Sequence, residues 1–202
     1  MSRHYGDIAF TEAVGEVQER YGSRRFYDRW RARTPRPGGI DGTARAEGAA
    51  GDALTEDERA YLAGRDSFYL ASVSSTGWPY VQFRGGPPGF LQVLDDHTVG
   101  WADFRGNLQH ISTGNVAGND RVALIVMDYP ERQRLKVYGH ARVAYVEDEP
   151  DLVDRLTVPG YVAVVQRAVV VSVAAYDWNC PQHITPRWSA AELEGPLAAT
   201  SG

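Results

Sequence analysis

The sequence predicts a mainly β protein: six strands in an antiparallel sheet that closes toward a small barrel, with helices at its flanks. Three observations predict it. From Ser67 onward the hydrophobic residues recur with a period of two. The runs are joined mainly by short turns, which only antiparallel neighbours allow. The last run, "QRAVVVSVAAYDW", is apolar on both faces and so wants cover on two sides, which a dimer partner would supply.

The elements follow in order. Residues 8–31 place Ile8, Val14, Val17 and Tyr21 at roughly helical spacing until Gly22 interrupts. A short helix is expected there, then a second turn or helix carrying Phe26, Tyr27 and Trp30. Residues 33–53 are punctuated by Pro and Gly and read as a linker or mobile arm. "LTEDE" is a capping box, with Thr55 as N-cap and Glu58 three residues on, opening a helix to about Leu62. "SFYLASVSS" and "WPYVQFR" are strands turning at Thr76-Gly77; "FLQVL" and "TVGWADF" flank a "DDH" turn. "RVALIVMD" and "RLKVYGHARVAYVE" flank "YPERQ", and a helix over roughly 149–156 precedes the last strand. The expected organisation is a helical arm and linker over 1–53, a barrel domain over 54–188 and a tail over 189–202.

Composition narrows the function classes. The chain has 202 residues, 43% of them hydrophobic and 23% charged, as in a globular domain. No apolar run is long enough to cross a bilayer and the N-terminus lacks a secretion-signal core, so a cytoplasmic protein without a membrane partner is expected. Net charge is −5, which argues against a general nucleic-acid binder. The single cysteine, Cys180, excludes an intrachain disulfide or a Cys-rich zinc site. Of 21 basic residues only Lys136 is lysine; with the Ala and Gly content this is the codon bias of a GC-rich bacterial genome. Glycine-rich nucleotide loops and the usual hydrolase and zinc-protease signatures are absent.

Four stretches could carry chemistry. In "WADFRGNLQHIS", Val99, Trp101 and Asp103 share a strand face that Arg105 continues, and Asn107 reads as the N-cap of the next helix. A guanidinium, an amide and free helix N–H groups would converge there as an anion requires, although Arg-Gly-Asn is also ordinary turn chemistry. In "PYVQFRGGPPGF", alternation puts Val81 and Phe83 toward the core and Tyr80, Gln82 and Arg84 on the opposite shelf, before a loop stiffened by Pro87-Pro88. In "RLKVYGHARV", Leu135, Val137, Ala141 and Val143 point one way; Arg134, Lys136, Tyr138, His140 and Arg142 point the other. The fourth, "YDWNCPQHITPRW", packs Trp178, Asn179, Gln182, His183, Arg187 and Trp188 into a proline-stiffened loop, suited to walling a flat ligand or simply to covering the barrel. Cys180 and His183 are too few for a metal site, and their spacing alone does not make a nucleophile and base.

Together, "RDSFYLASVSSTGWPYVQFRGGPPGFLQVLDD", "GWADFRGNLQHISTGN", "RVALIVMDYPERQRLKVYGHARV" and "DWNCPQHITPR" resemble the pyridoxamine 5′-phosphate oxidase-like family of FMN-binding split barrels, in a bacterial branch with the "NCPQHITPR" ending. The resemblance covers about residues 54–188. It implies a six-stranded split β-barrel, a homodimer, and FMN in clefts between the subunits. It implies that Arg105 and Asn107, with Ser112 and Asn115 beside them, receive the FMN phosphate, and that Gln82 and Arg84 line the flavin. Asn179, Gln182 and His183 would approach the isoalloxazine, with Trp178 as a wall. The implied activity is hydride transfer through flavin N5 on a small-molecule substrate, with Arg84 as the stabilising cation and Lys136 behind it. His183 would hold the transferred proton, and Arg187 would anchor an anionic substrate. "VQFRGG" and the "HITPRW" ending depart from the vitamin B6 oxidase itself, so pyridoxamine phosphate is not the implied substrate. A flavin-binding protein without a substrate, or a barrel holding haem or a deazaflavin, are the alternatives.

Overall fold

The structure is a computed structural model and describes residues 2–34, 51–178, 180–190 and 192–193. Three helices lead, α1 (Arg3–Ala9), α2 (Glu12–Arg20) and α3 (Arg24–Arg33), and α4 (Glu56–Ala63) follows. The strands are β1 (Ser67–Val73), β2 (Pro79–Gly85), β3 (Gln92–Asp95), β4 (Thr98–Phe104), β5 (Arg121–Asp128), β6 (Gln133–Tyr145) and β7 (Val165–Trp178). Helix α5 (Ile111–Gly118) lies between β4 and β5, and α6 (Pro150–Leu156) between β6 and β7. There are seven strands rather than six: each of the seven period-two runs is a strand, including the short one before the "DDH" turn, β3, paired with β4. All described pairings are antiparallel, in the order β2-β1-β5-β6-β7-β4-β3. Neither β2 nor β3 pairs with the other, so the sheet is a split barrel rather than a closed one. Among the described residues no helix is long and apolar enough to cross a membrane.

Local sequence explains the elements. The β1–β2 turn closes at Gly77, whose φ of +84° is the left-handed conformation that glycine adopts without steric cost. Phe68, Leu70, Trp101, Val126, Leu135, Val137 and Val171 fill the barrel interior, each almost fully buried. Each such side chain contributes about 1.5–3 kcal/mol of burial.

Strand β7 is buried on both faces, as its composition predicts, but its cover comes from within the chain. Val169, Val171 and Val173 face the barrel core. On the other side Ala168 and Val170 pack with Val153 and Leu156 of α6, and α1 also lies against the strand. A dimer partner is therefore not needed to cover it.

The N-terminal residues form three helices where a short helix and a turn or helix are expected. Val17 and Tyr21, two of the residues at helical spacing, are exposed. Residues 35–50 of the expected linker lie outside the described residues. Its end is laced to β7: Asp52 is buried, receives the backbone N–H of Tyr176 at 3.2 Å, and pairs with His4 Nδ1 at 2.9 Å. Gly51 lies so close to β7 that a Cβ would stand 2.0 Å from the Val173 carbonyl oxygen.

Candidate functional site

The alternation on β2 is as expected but its faces are reversed. Tyr80, Gln82 and Arg84 stand opposite Ser72, Leu70 and Phe68 of β1, and so share the inward face. Val81 and Phe83 are outward, 61% and 58% exposed. The reversal has a physical reason. The polar shelf finds partners inside the mouth of the split, and β2 is an edge strand with no described layer over its other face.

Those partners form an ion-pair network and two hydrogen-bonded pairs beside it. Arg84 Nη1 donates to Asp103 Oδ1 of β4 at 2.5 Å. Asp103 is paired in register with Arg167 of β7, whose Nε lies 3.2 Å from Asp103 Oδ2. Arg167 Nη2 donates to Gln166 Oε1 at 2.9 Å and meets His110 Nδ1 at 2.9 Å. A guanidinium can only donate, so His110 Nδ1 accepts and the imidazole proton sits on Nε2. Beside this, Ser112 donates to Gln82 Oε1 at 2.8 Å, and Asn115 donates to Ser72 Oγ at 3.0 Å. Strands β1, β2, β4 and β7 and the start of α5 thus converge on one polar cluster.

Its charge is unbalanced. Two arginines, with side chains only 15% and 9% exposed, share the single carboxylate of Asp103. The Nε of Arg84 is buried and has no hydrogen-bond partner among the described residues, whereas the Nε of Arg167 is held by its ion pair with Asp103. A largely buried pair of cations that share one carboxylate is a seat for an anion.

The segment between β4 and α5 corrects one expectation. Asn107 does not cap the helix; its Oδ1 accepts the Gln109 N–H at 3.2 Å, forming a local Asx turn. The helix starts at Ile111, with His110 at the cap position and no side-chain cap. Leu108 and His110 both take positive φ, 61° and 52°, a conformation costing non-glycine residues about 1–2 kcal/mol each. Such strain concentrates at ligand-holding segments. Arg105 is exposed, its backbone N–H bound to the Val164 carbonyl at 2.8 Å.

The remaining residues lie elsewhere. Lys136 is on β6 beside Asp177, on the face opposite Leu135 and Val137, and so outside the barrel interior. Trp178 is at the far end of β7 from Arg167, its indole N–H donating to Glu58 Oε1 at 2.6 Å and its ring set edge-on to Tyr61. Burial alone would raise the Glu58 carboxyl; hydrogen bonds from Thr55, Trp178 and Tyr176 outweigh it and hold the group below its ordinary range. Asn179 lies outside the described residues. Gln182, His183 and Arg187 are exposed, with His183 left-handed in the Pro181–Ile184 turn and Arg187 over the Tyr129 ring. Among the described residues no hydrogen bond or ion pair joins these three to the arginine cluster. Nor do any three His, Cys, Asp or Glu side chains gather as a metal site.

Sequence reasoning missed Arg167 and His110. A signal for Arg167 was present: it is the lone cation inside the apolar run of β7, and a charge buried in a strand demands a partner.

Comparison with known proteins places these observations. Residues 54–174 match the family model described as pyridoxamine 5′-phosphate oxidase. No curated protein matches. Among solved structures, HupZ of Group A Streptococcus is 13% identical, covering 67% of this chain and 99% of its own at a TM-score of 0.51. A proposed pyridoxamine 5′-phosphate oxidase of Lactobacillus delbrueckii is 23% identical over 62% of this chain and 94% of its own, TM-score 0.47. An FMN-binding protein from Syntrophomonas wolfei is 12% identical over 60% and 83%, TM-score 0.45. The likeness to HupZ shows a shared fold.

Proposed function

The chain belongs to the pyridoxamine 5′-phosphate oxidase family, and from that premise we propose that it binds FMN and acts as a flavin-dependent oxidoreductase on a small molecule. One observation carries the reading. The Arg84–Asp103–Arg167 cluster offers two largely buried cations against one carboxylate, with Arg84 Nε unpartnered among the described residues, beside the uncapped start of α5. That donor set fits a phosphate monoester and the electron-rich edge of a flavin.

Arg105, the Asn107 amide, Ser112 and the first N–H groups of α5 would hold the phosphate, with Asn115 fixing the helix to β1. Gln82, Arg84 and Arg167 would line the ring system, their fixed positive charge favouring an anionic flavin edge. FMN supplies reversible hydride acceptance at its N5. His183, on an exposed turn, is the group proposed to hold a proton on a ring nitrogen, and Arg187 the anchor for an anionic substrate. Lys136, Trp178, Asn179 and Gln182 belong to a second wall. Among the described residues Gln182, His183 and Arg187 have no bond to the cluster, so we assign this wall to a second copy, docked through the outward β2 face. Val81 and Phe83 are exposed apolar side chains on that face, with Trp78 exposed just before the strand, the kind of edge that a partner covers.

The test is anaerobic reduction of the FMN-loaded protein by NADH, NADPH or small organic donors, followed by air. Bleaching of the flavin absorbance and its return in oxygen supports the oxidoreductase. A bound flavin that no donor reduces favours a flavin-binding protein instead.

A further inference from the structure

The matched family model begins at residue 54, so the family does not account for the N-terminal helices. Their construction is specific. Helix α1 packs against β7, and α3 is fixed to α1 by the Arg31–Asp7 ion pair and by Trp30, whose ring stands against Gly6. Phe10 and Tyr27 meet edge-on at 4.9 Å, completing the inner side of the hairpin. The outer side is unpartnered. Helix α3 has no buried residue, and Val17, Tyr21 and Phe26 are each more than half exposed around the α2–α3 turn.

Charge divides the two helices. The exposed side of α2 carries Glu12, Glu16 and Glu19, with Arg20 as its one cation at the C-terminal end. The exposed side of α3 carries Arg25, Arg29 and Arg33, at i, i+4 and i+8 on one helical face. The other arginines of α3 are answered within the chain, Arg24 by Asp28 and Arg31 by Asp7. Arg25, Arg29 and Arg33 pair with no carboxylate among the described residues, and Glu16 and Glu19 pair with no cation. An acidic helix and a basic helix of nearly equal length, 9 and 10 residues, with exposed apolar side chains at their junction, form a surface complementary to itself. A two-fold axis meets that condition, since α2 of one copy then faces α3 of the other twice over.

We propose that the α2–α3 hairpin docks on the same hairpin of a second copy of this chain. Glu16 and Glu19 of each copy face Arg25 and Arg29 of the other, with Phe26 beside the two arginines and Val17 and Tyr21 at the margin of the contact. This contact is separate from the β2 face and does not depend on flavin binding.

The experiment uses the full chain with its native hairpin, carrying Phe83→Lys to disable the separate β2 contact, and two charge-reversed variants in that background, Glu16→Lys/Glu19→Lys and Arg25→Glu/Arg29→Glu. All four positions are exposed, so circular dichroism and the melting temperature serve as folding controls. Sedimentation across concentration and the exchange rate between two fluorescently labelled pools report association. Each variant alone is expected to associate at least tenfold more weakly, or exchange subunits at least tenfold faster, than the chain with the native hairpin. An equimolar mixture of the two should recover the behaviour of that chain, because each reversed helix then meets its complement. Unchanged association in both variants overturns the proposal, and so does a mixture no better than its components. Loss of binding to anionic vesicles or to a nucleic acid by Arg25→Glu/Arg29→Glu, with association unchanged, overturns it in favour of another partner.

Discussion

Arg84 Nη1 lies 2.5 Å from Asp103 Oδ1, joining two strands that share no backbone hydrogen bond. Strand β2 begins the sheet order and β4 is sixth in it, so this bond spans the open side of the split. The barrel is closed at that point by side chains, and the same side chains line the proposed flavin seat. Stability and binding are therefore coupled there.

Asp103 holds the cluster together. Asp103→Ala leaves two largely buried guanidinium groups facing each other, and removing one partner of a buried ion pair costs about 3–5 kcal/mol. Asp103→Asn keeps the shape and some of the hydrogen bonding and should cost less. Urea unfolding at neutral pH reads both; an alanine variant as stable as the native chain would refute the role.

Arg105 and Arg167 test the two parts of the anion seat. Arg105 is exposed, so Arg105→Ala should leave unfolding unchanged while weakening FMN binding at least tenfold, about 1.4 kcal/mol. Arg167→Gln should weaken binding comparably but also destabilise the chain, because it removes a partner of Asp103. Fluorescence titration of FMN separates them from the native protein, and unchanged affinity for Arg105→Ala moves the phosphate elsewhere.

Glu58 ties α4 to the end of β7 and makes stability depend on pH. Its folded-state pKa is lowered from the ordinary 4.5, since its hydrogen bonds outweigh the effect of burial. A lowered value means that the group adds stability above its unfolded pKa and loses it as pH falls through the folded one. The loss therefore lies below about pH 4.5. Glu58→Gln should cost about 1–3 kcal/mol at pH 7 and flatten this acid limb. Melting temperatures between pH 3 and 7 show it, and parallel curves for variant and native chain would contradict it.

Phe83 probes the outward face of β2. It is 58% exposed beside Tyr69, with the rings 5.7 Å apart. Phe83→Lys should change stability by no more than about 0.5 kcal/mol and yet weaken self-association, read by sedimentation. A native chain that is monomeric throughout would remove the shared cleft.

Most of the sheet was legible because period-two alternation and turn chemistry are local. Thr55 and Glu58 announced the start of α4 for the same reason. The β2 faces were misjudged because alternation gives two sets of residues without saying which set faces inward. Only the distant partners Asp103 and Ser112 decide that. Asn107 was read as a helix cap from its residue type, whereas the chain spends it on an Asx turn and starts the helix at Ile111. Arg105 and Arg84 stood out beside glycines, while Arg167 was lost in the most apolar strand. Its contacts with Asp103 and His110, 57 residues away in the latter case, exist only once β4, β7 and α5 are assembled.

The most direct measurement is the visible absorption spectrum of the freshly purified protein, with mass spectrometry of the chromophore released by heat. The account predicts a yellow protein, or one that turns yellow on adding FMN, that releases FMN and loses it in the Arg105→Ala variant. A colourless protein that does not take up FMN, or one releasing haem or a deazaflavin, would contradict it.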